Sequence, residues 1–138
     1  MKSKQKTNSF ELLIDSAKKA QKNAYAPYSG FKVGAALLTK SGKIYTGCNV
    51  ENASYGLACC AERNAVFKAI SEGEKEFRAI AIMSDSAEPT APCGACRQVL
   101  NEFAPNIKII MTGLKGTKIS SLKKLLPCAF GPKSLKNK

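Results

Sequence analysis

At 138 residues the chain can bury one sizeable core without disulfide staples, and residues 1–138 read as a single domain with flexible tails over about 1–8 and 134–138. Its 22 Lys+Arg against 10 Asp+Glu give a formal charge of +12, which raises the question of a nucleic-acid or membrane partner. Only three of those cations are Arg, whose bidentate fork reads phosphates and bases, and the lysines are scattered apart from a polar head and tail; the charge therefore reads as a solvated lysine surface, and neither partner is expected.

In chain order, Asn8 to Ala24 predicts an amphipathic helix, with Phe10, Leu13, Ile14, Ala17 and Ala20 at helical spacing and a capping box from Asn8 to Glu11. Ala26 to Gly30 ends it in a turn. Residues 31–39 and 43–48 predict two strands joined as a hairpin at Ser41-Gly42, and Asn49 to Cys59 is a long loop of the kind that carries function. Cys60 to Ser71 predicts a second helix, stopped near Gly73, and Arg78 to Ser84 a strand apolar enough to be buried on both faces. Pro92 opens a third helix to about Phe103, with Val99, Leu100 and Phe103 inward. Strands over 107–112 and 117–120, a short helix over Ser121 to Leu126 and a tail complete the chain. The order α-β-β-α-β-α-β-β-α implies an α/β fold: a three-layer α/β/α sandwich on one mixed five-stranded sheet, parallel where helices cross over.

No apolar run approaches the ~20 residues of a membrane span, and no apolar segment follows the basic N-terminus. A cytoplasmic protein is expected, so its six cysteines predict metal binding or free thiols before disulfides. The chain has no His, which excludes a histidine base and any imidazole ligand. Cys93 and Cys96 stand three apart at one helix start, where the helix dipole favours thiolates, and Cys60 stands at another. Such helix starts lie beside the carboxyl ends of strands, so Cys60, Cys93 and Cys96 can converge on one zinc ion and leave its fourth position open, as catalysis requires. Cys59 competes with Cys60 for this place; the two-residue offset from Cys60 puts Glu62 near the metal but free of it. A closed structural zinc with Cys48, Cys59 or Cys128 as a fourth ligand is the alternative. Three thiolates make the site anionic, and Arg63 is expected to offset this by donating hydrogen bonds to ligand sulfurs. Arg97, also beside a ligand, reads more simply as a helix-surface arginine.

The segments Cys60-Ala61-Glu62-Arg63 and Pro92-Cys93-Gly94-Ala95-Cys96-Arg97-Gln98 resemble those of the zinc-dependent nucleobase deaminases. Together with Tyr28-Ser29-Gly30-Phe31-Lys32-Val33-Gly34-Ala35, Gly47 to Ala53 and Leu125 to Pro132, the chain resembles the small cytidine deaminases of free nucleosides from about residue 10 to 135. The resemblance implies hydrolysis of cytidine and deoxycytidine to uridine and deoxyuridine plus ammonia, in pyrimidine salvage, with one zinc per subunit. Glu62 would carry the proton from water to ring N3 and then to the leaving amino group. Asn49 and Glu51 would bind the sugar 3′-hydroxyl, and Phe31 would pack on the base. The family's homotetramers imply that Tyr55 and Phe130 reach a neighbouring subunit's site. Read without the resemblance, these residues are a turn Asn, a solvated Glu and packing aromatics. A related small-molecule deaminase, such as a blasticidin S deaminase, shares the cysteine motifs; a zinc-stapled nucleic-acid-binding module is the reading from another class.

Overall fold

The computed structural model describes residues 2–135, and the side chains of residues 10–135. Its centre is the pair β1 (Val33–Thr39) and β3 (Phe77–Ser84), nearly continuous apolar runs that are buried on both faces. They pair antiparallel, with Ala35 opposite Ile82 and Leu37 opposite Ile80. β2 (Ile44–Cys48) and β5 (Gly116–Ser121) form the two edges, and β4 (Lys108–Gly113) runs parallel to β3. The order is β2-β1-β3-β4-β5, a mixed sheet whose one parallel neighbour pair is the one linked through a helix.

Alternation along the strands sends side chains to two cores. Ala36, Ala79, Ala81, Met83 and Ile110 face α1 (Lys2–Gln21), which contributes Leu13 and Ala17. Ala35, Leu37, Ile80, Ile82, Ile109 and Met111 face α2 (Ala61–Ser71) and α3 (Gly94–Phe103), which contribute Ala65, Val66, Ala69 and Leu100. Val99 and Phe103 pack at the margin of this core, half-buried. Helices thus cover both faces, and the sandwich has its three layers. Two short helices, α4 (Leu122–Leu125) and α5 (Pro132–Leu135), close the chain.

Three expectations differ. The third helix opens at Gly94 with Cys93 as its N-cap, so Pro92 stands before the helix and not at its first position. The first helix starts at Lys2, so Asn8 lies inside it and cannot cap it. The residues before Asn8 include good helix formers and no Gly or Pro, so nothing stops the helix from extending back. The expected tail contains one further helical turn at Pro132–Leu135, begun by a proline where its fixed φ suits a helix start. Of the segments expected to be flexible, Met1 and residues 136–138 lie outside the described residues.

One glycine decides where α2 begins. A Cβ on Gly47 would stand 2.4 Å from Ala61 O and 2.5 Å from Ala65 N, both backbone atoms. The bare backbone of β2 is what lets the start of α2 rest on the sheet, next to Cys60. No helix among the described residues is long and apolar enough to cross a membrane.

Candidate active site around three thiols

α2 and α3 both start at the end of the sheet where β2 and β3 finish. Cys60 and Cys93 are the N-cap residues of these helices, in extended backbone. Cys93 Sγ accepts the Cys96 N–H at 3.5 Å, as an N-cap side chain does. Cys60 Sγ lies 3.8 Å from Cys93 Sγ, and Cys93 Sγ lies 3.5 Å from Cys96 Sγ. All three sulfurs fall within 4.8 Å of one another. A tetrahedral zinc with bonds of about 2.3 Å holds its sulfurs about 3.8 Å apart, so the donor set fits zinc without rearrangement.

The spacing also resolves the ambiguity over Cys59. Its backbone is bonded to Val50 in both directions, at 2.9 and 3.0 Å, in a small bridge that anchors the loop. Among the described residues, neither Cys59, Cys48, Cys128 nor any carboxylate joins the three sulfurs, so a closed four-cysteine site is not formed. Burial runs from exposed Cys93 through Cys60 to fully buried Cys96, and the open side faces a cavity.

Charge at the site is unbalanced by design of the sequence. The Cys60 thiol is pulled down to about 5, first by the hydrogen bond from Cys96 and then by Arg63. Cys96, as donor to Cys60 and fully buried, is pushed up. Arg63 Nη2 donates to Cys60 Sγ at 3.6 Å, and its own pKa rises through that bond. Its Nε is buried without a partner among the described residues. Arg97 does something else: Nε donates to Pro92 O at 2.8 Å and Nη1 to Leu125 O at 2.7 Å. It ties the approach to α3 onto the last carbonyl of α4, a group that the helix leaves unpaired. Glu62 is buried, only 5% exposed, and burial pushes its carboxyl up to about 7, with repulsion from the Cys60 thiolate acting in the same direction.

A cavity of about 200 Å³ brings together Phe31, Asn49, Cys60, Glu62 and Cys93, closed on other sides by Ile82, Thr90 and Ala91. A second hollow, of about 320 Å³, holds Glu51 and Tyr55 with Tyr28 and Ser29. Two larger hollows, of about 430 and 440 Å³, contain none of the cysteines. Asn49 is more committed than a free ligand-binding amide: its Oδ1 accepts Val33 N–H and its Nδ2 donates to Phe31 O, both at 2.8 Å. One Nδ2 proton remains to face the cavity. Glu51 accepts the N–H groups of Tyr28 and Ser29 at 3.0 and 3.1 Å and the Ser29 hydroxyl. The Ser29 hydroxyl, and then the Ser29 and Tyr28 N–H groups, hold the Glu51 carboxyl below the usual range, so it is ionised at neutral pH.

Phe130 lines neither the zinc cavity nor the second hollow. Its carbonyl accepts from Gln98 and Asn101 on α3, at 2.8 and 3.2 Å, and its ring is 60% exposed. Tyr55 is 77% exposed and packs edge-on to Tyr28, ring centroids 5.9 Å apart. Ser29, Thr90 and Ala91 were not singled out from the sequence. Ser29 stands inside a motif that the resemblance quotes, and Thr90-Ala91 directly precede Pro92-Cys93, so position relative to known ligands was the available signal.

Three thiols at two crossover-helix starts, on a sheet of this order, define a zinc-dependent deaminase. More narrowly, a profile described as the zinc-binding region of cytidine and deoxycytidylate deaminases matches residues 7–113, and the chain belongs to that family. A cytidine deaminase of Sporosarcina psychrophila is 50% identical over 127 residues, covering 91% of this chain and 93% of that one. The crystal structure of a cytidine deaminase from Burkholderia pseudomallei is 52% identical with a TM-score of 0.84, over 87% of this chain and 98% of that one. A cytidine deaminase structure from Mycobacterium tuberculosis is 41% identical with a TM-score of 0.78, over 88% and 97%.

Proposed function

We propose that this enzyme hydrolyses cytidine and deoxycytidine to uridine and deoxyuridine with release of ammonia, and that Glu62 carries the protons. The observation that carries the reading is one cavity lined by Cys60, Cys93, Glu62 and Phe31, with Cys96 buried beneath. Zinc held by Cys60, Cys93 and Cys96 supplies Lewis acidity that makes water a competent nucleophile near neutral pH.

Glu62 does the rest of the proton work. Its carboxylate accepts a proton as water adds to C4 of the ring, and returns it to ring N3. It then takes the second water proton from the C4 hydroxyl of the adduct, as that oxygen becomes the carbonyl, and passes it to the exocyclic amino group, which leaves as ammonia. One water is consumed and the proton count closes. Arg63 keeps the sulfur cluster from accumulating uncompensated negative charge, and so keeps the metal electrophilic. Phe31 packs on the base, and Asn49 offers its remaining amide proton. Glu51 accepts the sugar 3′-hydroxyl; as an ionised carboxylate it repels a phosphate placed there, which favours free nucleosides over polynucleotides.

A homotetramer completes the proposal, with Tyr55 and Phe130 reaching a neighbour's site. Their exposure supports it: both rings are more than half exposed, and Phe130 lines neither local hollow. The protein then serves pyrimidine salvage in the cytoplasm. An absorbance assay on cytidine, deoxycytidine, cytosine, deoxycytidine monophosphate and blasticidin S separates the readings. Turnover confined to the two nucleosides is the expected result, and preferred turnover of blasticidin S would reject it.

A further inference from the structure

We propose that Ser29 is a positioning residue for substrate selection, whose hydroxyl couples the carboxylate of Glu51 to the backbone that presents Phe31. Ser29 stands in the turn from Ala26 to Gly30, closed by Gly30 N–H donating to Ala26 O at 2.9 Å. Gly30 has φ +70, a left-handed conformation that redirects the chain toward β1 and that a side chain there would strain. A serine hydroxyl has one proton to give and two lone pairs to receive. Here it donates to Glu51 Oε2 and accepts Phe31 N–H at 3.0 Å. Ser29 and Tyr28 also give their backbone N–H groups to Glu51 Oε1.

Two residues assigned to different parts of the nucleoside are therefore held through one side chain. Phe31 is fixed at its N–H by Ser29 and at its carbonyl by Asn49. Among the described residues, Glu51 is held at Oε1 by backbone alone and at Oε2 by Ser29 alone. All of this lies at the surface, where polar contacts add little stability. What the network does fix is direction. A carboxylate that receives a sugar hydroxyl must keep a lone pair aimed at it, and Oε2 is steered only by the Ser29 hydroxyl.

The inference rests on the reading that Glu51 receives the 3′-hydroxyl. Its test is the ratio of kcat/KM for deoxycytidine to kcat/KM for the 3′-deoxy analogue, measured on zinc-loaded enzyme. Ser29→Ala is expected to narrow that ratio about tenfold, the size of one hydrogen bond to a charged group, chiefly through KM. Ser29→Thr keeps the hydroxyl and restores the wild-type ratio. In a Glu51→Ala background the ratio collapses, and adding Ser29→Ala narrows it no further. Equal losses on both substrates in Ser29→Ala would overturn the positioning role, and a Ser29→Thr ratio as narrow as that of Ser29→Ala would overturn the part given to the hydroxyl. A Glu51→Ala ratio like wild type overturns the sugar reading itself, whereas a collapsed Glu51→Ala ratio beside an unmoved Ser29→Ala ratio overturns Ser29 alone.

Discussion

Glu62 is a carboxyl held where ionisation is costly, two residues beyond a thiol that ionises readily. Its folded pKa of about 7 lies above the ordinary 4.5, so the stability of the chelated protein falls as pH rises through that interval. Glu62→Gln removes the ionisable group. The chelated variant is expected to match wild type at pH 4 and exceed it by roughly 3 kcal/mol at pH 8 in urea unfolding. Equal stability at pH 8 would show that burial does not strain this carboxyl. The same variant should keep zinc and lose at least roughly 10²-fold in rate. At this scale the cysteines and Arg63 were legible because residue type and spacing restrict the chemistry. The bonds of Asn49, Arg97 and Ser29 were not: each side chain is spoken for by backbone atoms or residues distant in sequence, and partner identity is a property of the folded turn.

The helices reach the site because of what they rest on. Gly47 on β2 is in contact with the backbone of Ala61 and Ala65, so Gly47→Ala must displace the start of α2. Overpacking of this kind costs about 1–3 kcal/mol. It should also weaken zinc binding, since Cys60 stands at the N-cap position of the displaced helix, and competition with a chelator measures this. A loss of stability with unaltered zinc affinity would mean that α2 relaxes without moving Cys60. The strands β1, β3 and β4 and the helices α2 and α3 could be read from the sequence, since apolar runs and period differ sharply between them. The true start of α1 could not: Lys and Gln propagate a helix as readily as they form a polar tail, and Asn8 with Glu11 mimics a cap inside it. The role of Gly47 was equally hidden, because close approach between two backbones leaves no pattern in one sequence.

Across the whole molecule, a charge of +12 is met by a single ion pair among the described residues, Lys43 to Glu74 at 3.7 Å. Lys108 is placed 5.2 Å from the Phe10 ring, a contact that also leaves its charge uncompensated. A neutral nucleoside gains nothing from that field, so catalysis depends on the local site and not on long-range attraction. Light scattering should return the mass of four chains of 14.8 kDa each. Phe130→Ala should then lower activity in the assembled protein, and a fully active monomer would remove the shared-site proposal. On the proposed mechanism, Cys60, Cys93 and Cys96 hold one zinc that Glu62 needs for turnover. Returning zinc stepwise to chelated protein while following cytidine deamination tests it most directly. Activity should rise linearly and level off at about one zinc per chain; activity in the chelated protein, or a plateau at two, would contradict it.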